Sequence, residues 1–158
     1  ENYEGEKSYV IDGMKDTCMI EAVIEFSEGV RSFGIGLRQD SALANGYYLR
    51  FEPFYNRIVA DMWPRRIRGV NQWYVDGDKP FMVELERPFD YRSLENNNVD
   101  IRVIADDTIL CLYVNNSMAL TMRAYNNERP FWGFFVNDGS IKVSDICMYH
   151  ICKGENYV

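Results

Sequence analysis

Residues 46–65 concentrate side chains that are suited to binding a polyhydroxylated ligand. Aromatic, acidic and guanidinium groups recur at every second position on each side of a short turn. Arginine forks donate paired hydrogen bonds, carboxylates accept them, and aromatic rings stack on the C–H faces of sugars. The alternating residues, with one more from the segment that follows, are Tyr48, Arg50, Glu52, Asp61, Trp63 and Arg65. They are candidates for a carbohydrate site; the alternative is a solvated outer face with cross-strand ion pairs.

Two strands joined by a turn must position these side chains. The segment predicts an antiparallel hairpin around the turn 53–56, with Glu52 opposite Arg57 and Tyr48 opposite Asp61. Because side chains alternate along a strand, this register places the candidate residues together on one face. The other face then collects the residues expected in the core, which are Tyr47, Leu49, Phe51, Ile58, Ala60 and Met62.

Short β-branched and aromatic runs, separated by turn residues, continue along the whole chain, and no segment has the apolar spacing of an amphipathic helix. Turns are predicted at 115–117 and 138–139, and long loops at 64–79 and 88–97. The predicted strands are 8–11, 18–26, 32–38, 46–52, 57–63, 80–86, 98–104, 108–114, 118–123, 131–136 and 140–149. We therefore expect an all-β fold, an antiparallel two-sheet β-sandwich of the concanavalin-like jelly-roll type. Residues 1–158 are expected to form a single domain with an ordered core of about 8–151.

Composition narrows the classes of partner. The chain has 158 residues, 47% of them hydrophobic, and a formal net charge of −7, which argues against binding to the phosphate backbone of nucleic acids. No run of 18 apolar residues exists, so we expect no membrane partner. No leader peptide is visible, and Glu1 is not a natural start. The sequence therefore predicts a domain excised from a larger protein, and it leaves open whether that protein is secreted, displayed on the cell surface or cytoplasmic.

Cysteine and acidic clusters give little support to a metal site. Cys18, Cys111 and Cys147 lie in apolar runs and are expected to be free, buried thiols, while the state of Cys152 stays open. Asp76-Gly77-Asp78 offers carboxylates for a structural calcium ion, but two carboxylates do not supply six or more ligands. We therefore expect an acidic turn there, and no cofactor or metal.

Catalytic groups are also scarce. The chain has a single histidine, His150, near its end. A Ser-His-Asp or Cys-His arrangement would have only this residue as its general base, so a structural histidine is expected. Glu84 and Glu86 share one face of a predicted strand about 7 Å apart, within reach of the separation that a retaining glycosidase needs. Jelly-roll glucanases, however, use an E-x-D-x-E strand. When this motif is placed on Glu84, Glu86 stands at the position of the aspartate and Pro88 at the position of the last glutamate, so two of the three positions do not match. A jelly-roll glycosidase that uses Glu84 and Glu86 is the most distant alternative.

The second half of the chain carries a family resemblance. A strand ending in Tyr113-Val-Asn115 is followed by Ala119-Leu-Thr-Met-Arg-Ala-Tyr125 and by a closing strand–turn–strand over 133–149. This succession resembles the C-terminal β-sandwich of glycoside hydrolase family 32, the invertases, inulinases and levanases, and the related carbohydrate-binding module family 66. The segment from Glu52 through Asp61-Met-Trp-Pro-Arg65 is similar to bacterial members of the group. One departure is Cys111, where many members carry an acidic residue before the Val-Asn turn.

The resemblance implies a non-catalytic domain. The catalytic groups of that family lie in a separate five-bladed β-propeller, marked by W-x-N-D-P-N-G, R-D-P and E-C motifs that this chain lacks. The resemblance therefore predicts that this chain is a carbohydrate-binding module whose ligand is a β-fructan, such as levan or inulin, or a terminal fructose. The second partner would be the catalytic domain of the same parent hydrolase. Further candidate site residues are Arg123, Tyr125 and Trp132, although Tyr125 and Trp132 are equally suited to core or interdomain contacts. The leading alternative is a structural or dimerisation domain without sugar affinity.

Overall fold

The computed structural model describes residues 2–4, 7–41, 45–63, 85–125 and 129–151, with the backbone alone for residues 2–4, 7 and 63. The predicted loop 64–79, with Arg65 and Asp76-Gly77-Asp78, lies outside the described residues, as do Glu84 and Cys152.

Twelve strands form in the described chain. They are β1 (Asn2–Glu4), β2 (Lys7–Ile11), β3 (Thr17–Phe26), β4 (Ser32–Gln39), β5 (Gly46–Glu52), β6 (Arg57–Trp63), β7 (Leu85–Pro88), β8 (Asn98–Asp106), β9 (Ile109–Val114), β10 (Met118–Arg123), β11 (Phe131–Asn137) and β12 (Ser140–His150). Three 3₁₀ turns accompany them, at Pro53–Tyr55, Tyr91–Ser93 and Glu95–Asn97. The predicted strands are present where the structure describes them. Of the predicted strand 80–86 only Leu85 and Glu86 are described, and they belong to β7, which continues to Pro88 in its pairing with β6.

The strands form two six-stranded antiparallel sheets. Sheet I has the order β1-β12-β3-β8-β9-β10, and sheet II has the order β2-β11-β4-β5-β6-β7. The predicted all-β two-sheet sandwich is confirmed. No helix among the described residues has the length and apolar character needed to cross a membrane.

Alternation along the strands builds one core between the sheets. Every second residue of β3 is buried, from Cys18 to Phe26, and the same holds for β8 from Val99 to Ala105. Sheet II faces them with buried aromatic rings. Phe33 stacks on Phe26 with centroids 4.8 Å apart and on Phe51 with centroids 5.0 Å apart. Burial of these large apolar side chains is the main source of stability.

A β-bulge interrupts the pairing of β12 with β3 between Ser144 and Cys147. Asp145 takes a left-handed conformation there, with φ of 53°. A bulge shifts the residues that follow it relative to the partner strand. Cys147 is consequently exposed, so the prediction of a buried thiol is wrong at that position, whereas Cys18 is buried and Cys111 is half-buried; all three are free.

Candidate functional site

The β5–β6 hairpin has the predicted register. Tyr48 pairs with Asp61, Arg50 with Val59, and Glu52 with Arg57. The inward face is buried at Tyr47, Leu49 and Phe51 on β5 and at Ile58 and Ala60 on β6. Tyr48, Arg50, Glu52 and Asp61 consequently share the outer face of sheet II. Trp63 pairs with Gly46 at the far end of the hairpin and is described by its backbone alone.

The hairpin turn is held in place from both sides. Asn56 closes the 3₁₀ turn in a left-handed conformation with φ of 48°, and its amide donates to the carbonyl of Pro53 at 3.1 Å. Below the turn, the buried Tyr91 hydroxyl accepts from the Glu52 amide at 3.1 Å and donates to the Arg57 carbonyl at 2.8 Å. These bonds fix the ends of β5 and β6 against the sandwich and so fix the positions of Glu52 and Arg57.

Five charged side chains of alternating sign form what we call the ion-pair ladder, which crosses the outer face of β5, β6 and β7. Arg50 lies between two carboxylates, and Glu52 lies between two guanidinium groups. The contacts are Arg50 Nη1 to Asp61 Oδ2 at 3.2 Å, Arg50 Nε to Glu52 Oε1 at 2.8 Å, Arg57 Nε to Glu52 Oε2 at 2.6 Å and Arg57 Nη1 to Glu86 Oε2 at 2.6 Å. Charge-assisted bonds of this length give each side chain one defined orientation.

The ladder is unusually buried for the outer face of a sheet. Asp61 is 5% exposed and Glu52 is 9% exposed. Val59, which lies between Arg50 and Glu86 in the register, is fully buried. Carboxylates avoid such positions unless a cation neutralises them, and here Arg50 and Arg57 do so. Hydrogen bonding to Glu52 raises the pKa of the Arg57 guanidinium, which therefore keeps its charge.

The aromatic ring of Tyr48 lies beside the ion-pair ladder on the same face of sheet II. Its ring meets Phe135 edge to face with centroids 5.6 Å apart, and its hydroxyl accepts from Gln39 Nε2 at 3.0 Å. Burial raises the pKa of the Tyr48 phenol, so the hydroxyl keeps its proton and can donate it in a hydrogen bond. Gly34 pairs with Arg50 and Gly36 with Tyr48 on the neighbouring strand, so β4 has no side chain of its own at these two positions. The side-chain amide of Gln39 occupies the space over Gly36.

Three predicted site residues lie elsewhere. Trp132 is 2% exposed and packs edge to face on Phe134 in the core, as the alternative interpretation of the sequence had it. Arg123 ends β10, the edge strand of sheet I, and donates to the Thr108 hydroxyl at 3.0 Å. Tyr125 is exposed just beyond that strand. The structure therefore does not bring these residues together with the ladder.

Four residues of this face were not among the predicted site residues. Arg57 and Glu86 extend the ladder, and Gln39 and Phe135 surround Tyr48. The signal for Arg57 was already present, because the hairpin register places it opposite Glu52. The others depend on which strands become neighbours. Within the described part of the chain, no group of three or more His, Cys, Asp or Glu side chains is arranged to hold a metal ion.

Comparison with known families settles the relationship. Residues 4–150 match the family described as "Glycosyl hydrolases family 32 C terminal". The chain belongs to this family. The resemblance seen in the sequence is thereby confirmed, and so is the expectation that this family 32 C-terminal domain is not the catalytic propeller. Glu86, one of the two glutamates considered for catalysis, is paired with Arg57.

Solved structures share the fold at low sequence identity. A fructosyltransferase from A. japonicus aligns with a TM-score of 0.69 at 14% identity, over 96% of this chain and 25% of the enzyme. The carbohydrate-binding module CBM66 from Bacillus subtilis aligns with a TM-score of 0.64 at 10% identity, over 93% of this chain and 83% of the module. Chicken galectin 2 gives a TM-score of 0.58 at 11% identity, over 87% of this chain and 93% of that protein. The family 32 C-terminal domain thus spans a quarter of the enzyme's length. Among proteins with curated descriptions, none matches the sequence.

Proposed function

We propose that this family 32 C-terminal domain is a non-catalytic carbohydrate-binding module that binds a β-fructan, such as levan or inulin, or its terminal fructose. The parent protein would be a hydrolase that acts on the same polymer. The similar structures include a fructosyltransferase, an exo-inulinase from Aspergillus awamori and a carbohydrate-binding module, and their names favour this class of ligand. The proposed contacts come from Tyr48, Arg50, Glu52 and Asp61, with Trp63 at the far end of the hairpin and Arg65, which follows two residues later in the sequence.

The observation that carries the proposal is the burial of charged groups on the outer face of sheet II. Glu52 is 9% exposed and Asp61 is 5% exposed, so both carboxylates have lost most of their hydration. The desolvation free energy of this burial is larger than it would be for carboxylates exposed on the same face. Burial of an ion pair adds little to stability by itself, so a function is the better explanation for retaining the network. Groups held in one orientation also lose little entropy when a ligand binds.

Each group of the ladder has a role suited to vicinal hydroxyls. Arg50 keeps 20% of its side chain exposed between Glu52 and Asp61, so its fork can donate outward to sugar oxygens. Each carboxylate has about four lone-pair positions. Asp61 already accepts from Arg50 and, at 2.9 Å, from the Met62 amide, and Glu52 from Arg50 and Arg57; the remaining lone pairs would accept from sugar hydroxyls. Tyr48, which pairs with Asp61, would pack its ring edge and hydroxyl against a sugar held at the Asp61 end of the ladder. Each hydrogen bond replaces one to water and adds only about 1 kcal/mol net, so dissociation constants from about 10 μM to about 1 mM are expected.

A second function is favoured by one specific feature of the same network. Each charge of the ladder already contacts at least one opposite charge, with Arg50 contacting two acids and Glu52 contacting two bases. A network satisfied in this way can serve as a rigid surface that packs against the catalytic domain or a second subunit. In that case the domain would be structural and would have no sugar affinity.

Calorimetric titration of the 158-residue chain distinguishes the two functions. The panel contains levan, inulin, sucrose and fructose, with a β-glucan as control. Saturable binding of a fructan or of fructose that is lost in Asp61→Asn would support the module. Asp138→Asn is the matched control, because the Asp138 side chain is 66% exposed and pairs with Arg31, which is not part of the ladder. Absence of binding to every sugar up to millimolar concentration would favour the structural domain.

A further inference from the structure

The turn of the β5–β6 hairpin presents two aromatic rings to solvent. Phe54 is 82% exposed and Tyr55 is 63% exposed, the largest values among the exposed large hydrophobic residues of the described chain. Their rings meet edge to face with centroids 5.1 Å apart and an interplanar angle of 89°. Leaving an aromatic ring such as Phe54 in water forgoes the favourable free energy of its burial, and the sandwich gains nothing visible in return.

These rings stand on a rigid base. Pro53 occupies the first turn of the 3₁₀ segment and restricts the backbone there. The carbonyl of Asn56, at the end of the turn, accepts from the Phe89 amide at 2.8 Å. The Tyr91 hydroxyl binds the backbone of both strand ends below it. An exposed aromatic pair on a fixed turn is prepared for contact, because little conformational freedom is lost when a ligand covers it.

The aromatic pair is also continuous with the ion-pair ladder. The guanidinium carbon of Arg57 lies 5.1 Å from the centre of the Tyr55 ring, in a cation–π contact. Arg57 in turn binds Glu52 at 2.6 Å. One surface therefore runs from Asp61 through Arg50 and Glu52 to Tyr55 and Phe54, and it changes from charged to aromatic along its length.

We propose that Phe54 and Tyr55 form a further saccharide subsite, so that the domain binds an oligosaccharide chain along the hairpin rather than a single sugar. This inference rests on the proposed function. Four residues of extended strand separate Asp61 from Arg57, about 13 Å, a distance that one sugar ring cannot span. Phe54 has no polar atom on its side chain, so its contact would be stacking on the C–H face of a sugar.

The test compares a monosaccharide with a chain of the same sugar. Fructose and a short inulin-type oligosaccharide are titrated into the wild-type chain, Phe54→Ala and Tyr55→Ala. The wild type is expected to bind the oligosaccharide about tenfold more tightly than fructose, and each variant to lose about tenfold for the oligosaccharide alone. Tyr149→Ala is the matched control, since Tyr149 is an exposed aromatic residue, at 46%, on sheet I. It should leave both affinities unchanged.

The outcomes separate this inference from the proposed function. Fructose binding with an unaltered oligosaccharide affinity in Phe54→Ala would overturn the extra subsite and leave the module intact. An equal loss for fructose and oligosaccharide would also overturn it, because the rings would then belong to the primary site. Absence of all sugar binding in the wild type would overturn both. Thermal unfolding of Phe54→Ala should match the wild type, because the ring is exposed in the folded chain.

Discussion

The guanidinium of Arg38 connects the two sheets by binding Asp16. Arg38 lies in β4 of sheet II with its side chain fully buried, and Asp16 directly precedes β3 of sheet I. Arg38 donates to the Asp16 carboxylate at 3.3 Å and to the Asp16 carbonyl at 2.9 Å. A third bond, of 3.4 Å, reaches the carbonyl of Asp107, in the turn after β8. One buried cation thus joins two turns of one sheet to a strand of the other.

Asp16→Asn should lower the free energy of unfolding by about 1–2 kcal/mol, because a buried guanidinium loses the Asp16 carboxylate while keeping its bonds to the carbonyls of Asp16 and Asp107. Asp16 itself is 70% exposed, and solvent screening keeps the loss below that of a fully buried pair. Urea denaturation with an unchanged m-value measures the difference. Asp138→Asn is the control, since its pair with Arg31 is exposed at 3.5 Å, and it should change stability by less than about 0.5 kcal/mol. Equal losses in the two variants would contradict a role for burial.

Glu52→Gln should cost about 3 kcal/mol, because two arginines lose the carboxylate between them in a mostly buried position. Glu86→Gln should cost less than about 1 kcal/mol, since Glu86 is 52% exposed and contacts Arg57 alone within the ladder. Chemical denaturation of both variants measures the two losses in the free energy of unfolding. Salt should reduce the Glu86 effect and leave most of the Glu52 effect. Equal losses of stability in Glu52→Gln and Glu86→Gln would mean that Glu52 is better hydrated than its burial indicates.

Because the Tyr91 phenol is buried, we expect the domain to lose stability at alkaline pH. Burial raises the pKa of its phenol well above the ordinary value of 10.0. The unfolded chain therefore loses this proton first as the pH rises above about 10, and the free energy of unfolding falls by about 1.4 kcal/mol per pH unit from this group. Below about pH 10 the contribution is fully present.

Tyr91→Phe removes that contribution and should flatten the slope of stability against pH above about 10 by about one proton. The variant also loses two hydrogen bonds, so it should be less stable by about 1–3 kcal/mol at about pH 7, where the phenol is protonated in both states. Urea denaturation across the range from about pH 7 to about pH 11 measures both quantities. The slope that remains would belong partly to Tyr48, whose phenol pKa burial also raises. A variant that retains the full wild-type slope would disprove this assignment.

Gly34→Ala should destabilise the domain by about 3 kcal/mol, at the upper end of overpacking effects. A Cβ at Gly34 would overlap the carbonyl oxygen of Leu49 and lie 3.1 Å from the Phe135 ring. Gly13→Ala is the informative comparison, because Gly13 has φ of 96° and a methyl group added there would have no neighbour within 4 Å. It should cost only the backbone strain, about 1 kcal/mol. Thermal unfolding separates the two effects, and a tolerated Gly34→Ala would show that β4 and β5 can move apart.

Local pattern was enough to predict the hairpin and most of the strands. Alternation and a four-residue turn leave one register in which Tyr47, Leu49 and Phe51 face the core. Alternation along β11 also indicates that Trp132 is buried in the core, because it lies on the same face of the strand as Phe134 and Val136, which are both buried. The same reasoning sorts β3 and β8 correctly, because each strand has one buried face.

The remaining features depend on contacts between strands that are distant in sequence. Glu86 joins the ladder only because β7 pairs with β6, and Phe135 reaches Tyr48 only because β11 pairs with β4. The exposure of Cys147 follows from a bulge, and nothing in the composition of β12 marks where an extra residue leaves the pairing. Arg38 gave no signal in the sequence, because its burial depends on turns of the opposite sheet.

The strand order has a consequence for folding during synthesis. β11 lies between β2 and β4 in sheet II, and β12 lies between β1 and β3 in sheet I. The chain must therefore leave a gap in each sheet until residues 131–150 emerge from the ribosome. Such non-local pairing slows folding and exposes unpaired strand edges in the nascent chain. Release of the final hairpin is thus the step at which both halves of the sandwich can close together.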